Sequence, residues 1–145
     1  KSFDSYIIND ALRNTDDITK LSSEQQKVIS LLDKALSKTP TYSGDLVRTV
    51  NFSDWPDAEE KTKKFIEGFT KGNKIRIPQY WSTSSKAGYD DTAEIQIFIE
   101  NAEKGRDIKA VGLDESEVLY ERNSEFIVLE KMFVDGKWNI LLKEI

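Results

Sequence analysis

The sequence predicts an α+β fold in which helices come first and a mainly antiparallel sheet structure follows. Apolar residues recur with helical spacing in the first part of the chain, and apolar and polar residues alternate with period two over most of the second part. The repeated strand-helix alternation of a doubly wound fold does not occur. The 145 residues, 38% hydrophobic and 32% charged, suit one domain spanning residues 1–145. We therefore expect N-terminal helices packed on a mainly antiparallel sheet structure.

Three helices are predicted from periodicity and end signals. The first covers residues 5–13, where apolar side chains have helical spacing. The second begins at the capping signal Ser22-Ser23-Glu24-Gln25 and ends before Pro40. The third covers residues 57–69 and is terminated by Lys71-Gly72-Asn73.

Strands are predicted where side chains alternate in polarity. The first covers residues 45–52 and places Leu46, Arg48 and Val50 on one face. Asp135-Gly136 predicts a tight hairpin between the last two strands. The other predicted strands comprise residues 74–77, 80–84, 93–100, 117–120, 125–133 and 137–144.

Composition excludes several kinds of chemistry. Without histidine or cysteine the chain has no Ser-His or Cys-His nucleophile, no imidazole or thiolate metal site and no disulfide, so carboxylates must perform any acid-base work. A net charge of -5 disfavours a general binder of nucleic acid or anionic membranes. Apolar runs are too short to span a bilayer, and no signal peptide is visible. Because the chain opens on Lys1 rather than Met, we expect a processed or excised domain.

Glu115 and Glu117 form the most informative local pattern. On a strand their spacing sends both carboxylates to one side, roughly 6 to 7 Å apart. Two like charges in one place are costly unless a cation or a substrate that uses negative charge lies between them. The pair therefore indicates catalysis, and the alternative is the solvated face of an edge strand.

Two further polar elements interrupt apolar strands. Arg48 should point inward among apolar neighbours, where an unpaired guanidinium is expensive, so it needs an anion; a salt bridge to Asp45 is the alternative. In Ser82-Thr83-Ser84, period two puts Ser82 and Ser84 on one face, able to orient a carboxylate or a ligand hydroxyl. A turn or a strand end is the alternative there.

An arginine on the first strand, an aromatic-flanked Ser-Thr-Ser and a Glu-x-Glu that opens an apolar strand, in this order, resemble the mono-ADP-ribosyltransferase family of bacterial toxins and phage-encoded relatives. The resemblance covers most of the chain. It extends to Gly105-Arg106-Asp107-Ile108 before the acidic motif and to Arg122-Asn123-Ser124-Glu125-Phe126 after it. It implies an ADP-ribosyltransferase-like fold in which two sheets form an NAD-binding cleft.

The resemblance also implies roles for individual residues, with NAD as substrate and no metal. Glu117 would hydrogen-bond the 2'-hydroxyl of the nicotinamide ribose and stabilise an oxocarbenium-like cation, with Ser82 holding the carboxylate or the ribose in place. Arg48 would bind the NAD phosphates and ribose. Glu115 would face the acceptor, which in the family is arginine when a glutamate occupies that position.

Four more residues are predicted to bind NAD. Thr83 and Ser84 complete the Ser-Thr-Ser motif, and Lys86 and Tyr89 belong to the loop of residues 85–91. Lys86 could reach a phosphate, and Tyr89 could stack on the nicotinamide ring. The alternative for this loop is an exposed turn.

The sequence departs from the family pattern at two places, of which the first bears on target choice. The loop of residues 110–114 lacks the aromatic residue that many members use to engage the target protein, leaving Leu113 as its bulky residue. Arg48 is followed by Thr49, where relatives often have glycine.

The expected function is transfer of ADP-ribose from NAD to an arginine side chain of a target protein, without involvement of nucleic acid. A protein with this activity would be secreted or delivered into a host cytosol, with a delivery partner or a translocation domain outside the printed sequence. One alternative is an NAD glycohydrolase, in which water replaces the acceptor. Another is a catalytically silent binding or phage-structural domain, for which Arg48, Ser82 and Glu117 would not converge.

Overall fold

The computed structural model describes residues 5–15, 17–50, 52, 55–85, 93–108 and 117–145. These ranges contain three α-helices, α1 (Ser5–Arg13), α2 (Ser23–Ser37) and α3 (Ala58–Glu67), with a short 3-10 helix at Ile18–Lys20. The strands are β1 (Gly44–Val50), β2 (Lys74–Ile77), β3 (Trp81–Ser84), β4 (Ile95–Ala102), β5 (Arg106–Asp107), β6 (Glu117–Tyr120), β7 (Ser124–Val134) and β8 (Lys137–Glu144). The predicted α+β class is confirmed.

Local signals fix two of the element ends where the sequence predicts them. The Ser22 hydroxyl accepts from the backbone N–H of Gln25 at 3.2 Å, and the Gln25 side chain accepts from the backbone N–H of Ser22 at 3.4 Å, which completes a capping box for α2. Asp135 and Gly136 have φ angles of 52° and 77°, as a tight hairpin turn requires.

The strands form one mixed sheet of eight strands in the order β2-β7-β8-β4-β1-β3-β6-β5. Neighbouring strands pair in antiparallel orientation, except that β4 and β8 pair in parallel. In the described part of the chain, a single bridge between Val47 and Ser84 joins β1 to β3, whereas β1 pairs with β4 along its whole length. The two predicted sheets are therefore two halves of one sheet, called here the five-strand half (β2, β7, β8, β4, β1) and the three-strand half (β3, β6, β5).

Two apolar clusters support the sheet, and the first contains Trp81, Val118 and Tyr120 of the three-strand half as well as β4, β7 and β8 side chains. Helix α3 contributes Ile66 to this cluster, and Phe69 follows the helix. The cluster members with no exposed surface are Ile95, Ile97, Ala102, Phe126, Val128, Ile140 and Leu142. Helices α1 and α2 pack on the three-strand half through a second cluster that contains Ile8, Leu12, Ile29, Leu36, Tyr80 and Ile108. The N-terminal helices thus lie where the sequence predicts, against the sheet. None of the helices in the described ranges is long and apolar enough to cross a membrane.

Candidate active site

The register between β3 and β6 brings the serine motif and Glu117 together. Ser82 lies opposite Leu119, and Ser84 lies opposite Glu117. Because side chains alternate along a strand, Ser82, Ser84 and Glu117 share one face of the three-strand half. The residues that alternate with them along the strands, among them Trp81 and Thr83, face the core.

Ser82 and Glu117 form a direct hydrogen bond. The Ser82 Oγ donates to the Glu117 Oε2 at 2.6 Å, a length typical of a charge-assisted bond to a carboxylate. Both residues are partly buried. The serine thus fixes the orientation of the carboxylate on the strand.

Thr83 has a structural role within this motif. Its side chain is buried, and its Oγ1 donates to the backbone carbonyl of Val118 at 2.8 Å. The hydroxyl therefore holds β3 against β6, and we assign it no direct contact with NAD. Ser84, by contrast, is partly exposed on the face that carries Glu117.

Arg48 bridges the two halves of the sheet. Its Nη1 donates to the backbone carbonyl of Ser82 at 2.7 Å, and its guanidinium lies over the Trp81 ring, 5.5 Å from the centroid. Its Nε is buried and has no hydrogen-bond partner in the described part of the chain. The alternative partner Asp45 is exposed and accepts from the backbone N–H of Asn101 at 3.0 Å.

Strand alternation assigns Arg48 and Glu117 to different faces of the sheet. Since Val47 pairs with Ser84, the neighbouring Arg48 starts on the core face together with Trp81. The halves separate beside this single bridge, and there the guanidinium meets the backbone of β3. Two hydrogen bonds through Ser82 consequently connect Arg48 to Glu117.

A second arginine lies close to Arg48. Burial of the guanidinium lowers the pKa of Arg48, and the positive charge of Arg13 lowers it further. Helix α1 is held at this position by Asn9, whose Oδ1 accepts from the backbone N–H of Tyr80 at 3.2 Å. Arg13 also forms an exposed ion pair with Asp10 at 3.7 Å, and its charge adds to the positive potential at Arg48, which suits a phosphate.

Sequence reasoning missed Arg13. A basic residue in the last turn of a helix is explained by the helix dipole alone, so its position gave no functional signal. Only the packing of α1 beside β3 shows that its charge acts on Arg48.

Three predicted site residues lie outside the described residues: Glu115, Lys86 and Tyr89. Their segments adjoin the site in sequence, since one follows Ser85 and the other precedes Glu117. Within the described ranges, no group of three or more acidic side chains gathers as a metal site requires.

A cavity of about 220 Å³ lies apart from these residues. Arg76, Pro78 and Arg122 contribute to its lining, and none of the predicted site residues does. It adjoins the other end of β3 and β6, where Arg122 follows β6.

Comparison with known proteins identifies relatives by sequence. The model of a family described as ADP-ribosyltransferase exoenzyme matches residues 2–145. A Mycobacterium avium protein named for NAD(+)-arginine ADP-ribosyltransferase activity, Mav, is 32% identical over 120 residues, which are 77% of this chain and 13% of that protein. The NAD(+)-protein-arginine ADP-ribosyltransferase Tre1 of Serratia proteamaculans is 26% identical over 138 residues, 95% of this chain and 28% of that protein. The chain thus spans less than a third of either relative.

Solved structures share the fold at low identity. The ADP-ribosyltransferase HopU1 of Pseudomonas syringae pv. tomato has a TM-score of 0.77 and 18% identity, over 97% of this chain and 65% of that one. C3stau2 of S. aureus, solved with NAD, has a TM-score of 0.74 and 22% identity, over 98% of this chain and 81% of that one.

Proposed function

The chain belongs to the ADP-ribosyltransferase exoenzyme family, and we propose that it transfers ADP-ribose from NAD to an arginine side chain of a target protein. The Ser82–Glu117 hydrogen bond, joined through the Ser82 carbonyl to Arg48, is the observation that carries this proposal. A carboxylate oriented by Ser82 thus lies two hydrogen bonds from a guanidinium whose Nε has no partner among the described residues, which supports this proposal.

The reaction breaks one bond and forms another. The bond between C1' of the ribose and the nicotinamide nitrogen breaks, its electron pair leaves with neutral nicotinamide, and C1' becomes oxocarbenium-like. A guanidine nitrogen of the acceptor then bonds to C1' and loses a proton. Since the chain contains neither histidine nor cysteine, a carboxylate must receive that proton.

Glu117 stabilises the cation in this proposal. A negative charge held beside the ribose favours the transition state more than the ground state, because positive charge develops only as the bond breaks. The 2.6 Å bond from Ser82 removes the rotational freedom of the carboxylate in advance, so little reorganisation is needed during the reaction.

Arg48 and Arg13 bind the pyrophosphate of NAD in this proposal. The buried Nε of Arg48 gains a hydrogen-bond acceptor, and the repulsion between the two guanidinium groups is relieved. Local positive charge of this kind is necessary because the chain as a whole carries a net charge of -5. Ser84, Lys86 and Tyr89 remain predicted NAD contacts.

Glu115 orients the acceptor arginine and takes its proton. A carboxylate pairs bidentately with a guanidinium, and the names of Mav and Tre1 refer to arginine as the modified residue. The competing function is NAD hydrolysis, in which water attacks C1' in place of the guanidine. The two hydrogen bonds that join Arg48 to Ser82 and Ser82 to Glu117 favour this proposal over the third possibility, a silent domain of the same fold.

Secretion or delivery into a host cytosol belongs to the same proposal. The expected observation is ADP-ribosylated protein in the cytosol of an exposed cell. Modified protein confined to the producing cell would contradict delivery and leave the chemistry unaffected.

A small acceptor tests the chemistry directly. Wild-type protein is incubated with NAD and agmatine, a free guanidinium compound, and nicotinamide and ADP-ribosylagmatine are measured by mass spectrometry. Wild-type protein should form both products. Glu117→Gln should lose both, and Glu115→Gln should lose ADP-ribosylagmatine while still releasing nicotinamide.

Glu100→Gln is the matched control, since Glu100 is an exposed carboxylate on β4. It should leave both products unchanged. Wild-type protein that releases no nicotinamide, or a Glu117→Gln variant as active as wild type, would overturn the proposal.

A further inference from the structure

The Asp33 carboxylate on α2 forms hydrogen bonds with two residues that flank the strands of the Ser82–Glu117 pair. Tyr80 donates its hydroxyl to Asp33 Oδ1 at 2.6 Å, and Arg122 donates its Nε to Asp33 Oδ2 at 2.8 Å. Each carboxylate oxygen thus serves one partner.

The two partners lie at the same end of β3 and β6. Tyr80 directly precedes β3, and Arg122 follows β6 by two residues. Because the strands are antiparallel, with Trp81 opposite Tyr120, the start of β3 adjoins the end of β6. The Ser84–Glu117 pair marks the other end, about 10 Å away by strand rise.

Few hydrogen bonds set the register of these strands in the described part of the chain. There β3 and β6 have 4 residues each, Thr83 joins them through the Val118 carbonyl, and a single bridge joins their half to β1. Ladders this short contain few hydrogen bonds, so a small shift between the strands would move Ser82 relative to Glu117. Two ties at the far end, the hydrogen bonds of Asp33 with Tyr80 and with Arg122, restrain that shift.

Asp33 is suited to this task because its own position is rigid. Helix α2 packs through Ile29 and Leu36 into the apolar cluster that includes Tyr80. The Tyr80 hydroxyl also reaches the backbone carbonyl of Ile29 at 3.2 Å. Burial, and then the Asp33 carboxylate, raise the pKa of Tyr80 above its ordinary value, so the phenol stays a hydrogen-bond donor in neutral solution.

We propose that Asp33 is a positioning residue for catalysis: by binding Tyr80 and Arg122 it locks β3 and β6 in the register at which Ser82 holds Glu117. The inference rests on the proposed function, because it concerns the pair assigned there to NAD cleavage. Asp33 acts through these strands and touches no reacting atom.

Removal of the carboxylate tests this inference. Asp33→Ala should lower kcat for nicotinamide release about tenfold and change KM for NAD by a smaller factor, because Arg48, the proposed phosphate ligand, lies on β1 and contacts β3 only through the Ser82 carbonyl and the Trp81 ring in the described part of the chain. Tyr80→Phe removes one of the two ties and should lower kcat by a smaller factor. Added to Asp33→Ala, it should lower kcat by less than it does alone, since only the bond from the Tyr80 hydroxyl to the Ile29 carbonyl is then left to lose.

Val128→Ala serves as the matched control for loss of stability. Val128 is fully buried in the five-strand half and touches neither tie. At equal loss of thermal stability it should retain wild-type kcat per folded molecule. If Asp33→Ala loses only as much activity as Val128→Ala, the inference is wrong.

A crystal structure of Asp33→Ala provides a readout that needs no activity. The distance between Ser82 Oγ and Glu117 Oε2, 2.6 Å in the intact protein, should lengthen beyond hydrogen-bonding range. An unchanged distance would overturn the inference even if turnover falls. Absence of turnover in wild-type protein would instead overturn the proposed function, and the distance would still decide the role of Asp33.

Discussion

The two halves of the sheet differ in strand length, in burial and in the polar side chains they carry. The five-strand half has long strands such as β7, with 11 residues, and its β4, β7 and β8 bury Ile97, Val128 and Ile140 completely. The three-strand half has strands of 4, 4 and 2 residues and carries Ser82 and Glu117 on one face.

This difference separates stability from chemistry. Buried aliphatic side chains contribute most of the free energy of folding, and those with no exposed surface lie in the five-strand half within the described residues. The three-strand half buries one face through Trp81, Val118 and Tyr120, whereas its other face carries serine and glutamate and depends on helices α1 and α2 and on specific hydrogen bonds. Arg48 sits where the halves meet, and a ligand bound there would touch both.

The largest expected effect is a loss of activity in the three-strand half. Glu117→Gln keeps the size of the side chain but removes the charge opposite the ribose cation, so nicotinamide release should fall about 10³-fold. The free energy of unfolding, measured by urea titration, should change little because Glu117 is only partly buried. A variant that retains more than a tenth of the wild-type rate would contradict the assignment of catalysis to the three-strand half.

The converse experiment removes a side chain from the five-strand half. Ile140→Ala should lower the free energy of unfolding by about 3 kcal/mol, because a fully buried side chain leaves a cavity. Activity per folded molecule should stay at the wild-type level. A proportionate fall in kcat would show that the halves are not independent.

Gly105→Ala should destabilise the three-strand half by about 2 kcal/mol, as overpacking does. A Cβ at Gly105 would lie 2.5 Å from Cγ1 of Val118, the neighbour of Glu117, so nicotinamide release should fall as well. Gly68→Ala is the control, since its Cβ would meet no atom closer than 3.4 Å. Equal free energies of unfolding of the two variants, measured by urea titration, would contradict the close packing of Gly105 against Val118.

Ser82→Ala removes the bond that holds Glu117 and leaves the charge. A hydrogen bond to a charged group contributes about 1.5 kcal/mol, so kcat for nicotinamide release should fall about tenfold, less than in Glu117→Gln. A loss as large as that of Glu117→Gln would assign the serine a direct part in the chemistry.

The smallest effect concerns alkaline pH. Burial, and then carboxylate partners, raise the pKa of Tyr80 and of Tyr120 above the ordinary value of about 10. The folded state therefore holds these protons more tightly, and the free energy of unfolding should decline as pH rises above about 10, by less than about 1 kcal/mol per tyrosine at pH 10.5. Urea titrations at pH 8 and 10.5 should show a smaller decline for Tyr120→Phe, and an equal decline would contradict this assignment.

Much of the fold could be predicted because its signals are local. Helical spacing and a capping box define α2, and alternation defines β1 and β6. Strand β5 was missed because its two residues show no alternation. Distant partners hold it instead: Arg106 donates to the carbonyl of Thr39 at 2.8 Å and pairs with Glu121 at 3.1 Å.

The site could be predicted only in part, because its contacts join residues that are distant in the sequence. Ser82 and Glu117 were identified from alternation, but the bond between them depends on the register of β3 and β6, which neither segment specifies alone. Arg48 was expected to meet an anion, and its partners among the described residues include a backbone carbonyl and the Trp81 ring. Arg13 depends on how α1 packs, which the local sequence does not show.

A crystal structure of Glu117→Gln with NAD tests the central assignment most directly, since this variant should bind NAD without cleaving it. The expected complex has the 2'-hydroxyl of the nicotinamide ribose within hydrogen-bonding distance of the residue 117 side chain and a phosphate oxygen on the Nε of Arg48. NAD bound instead in the cavity beside Arg76 and Arg122, with its ribose remote from residue 117, would contradict it.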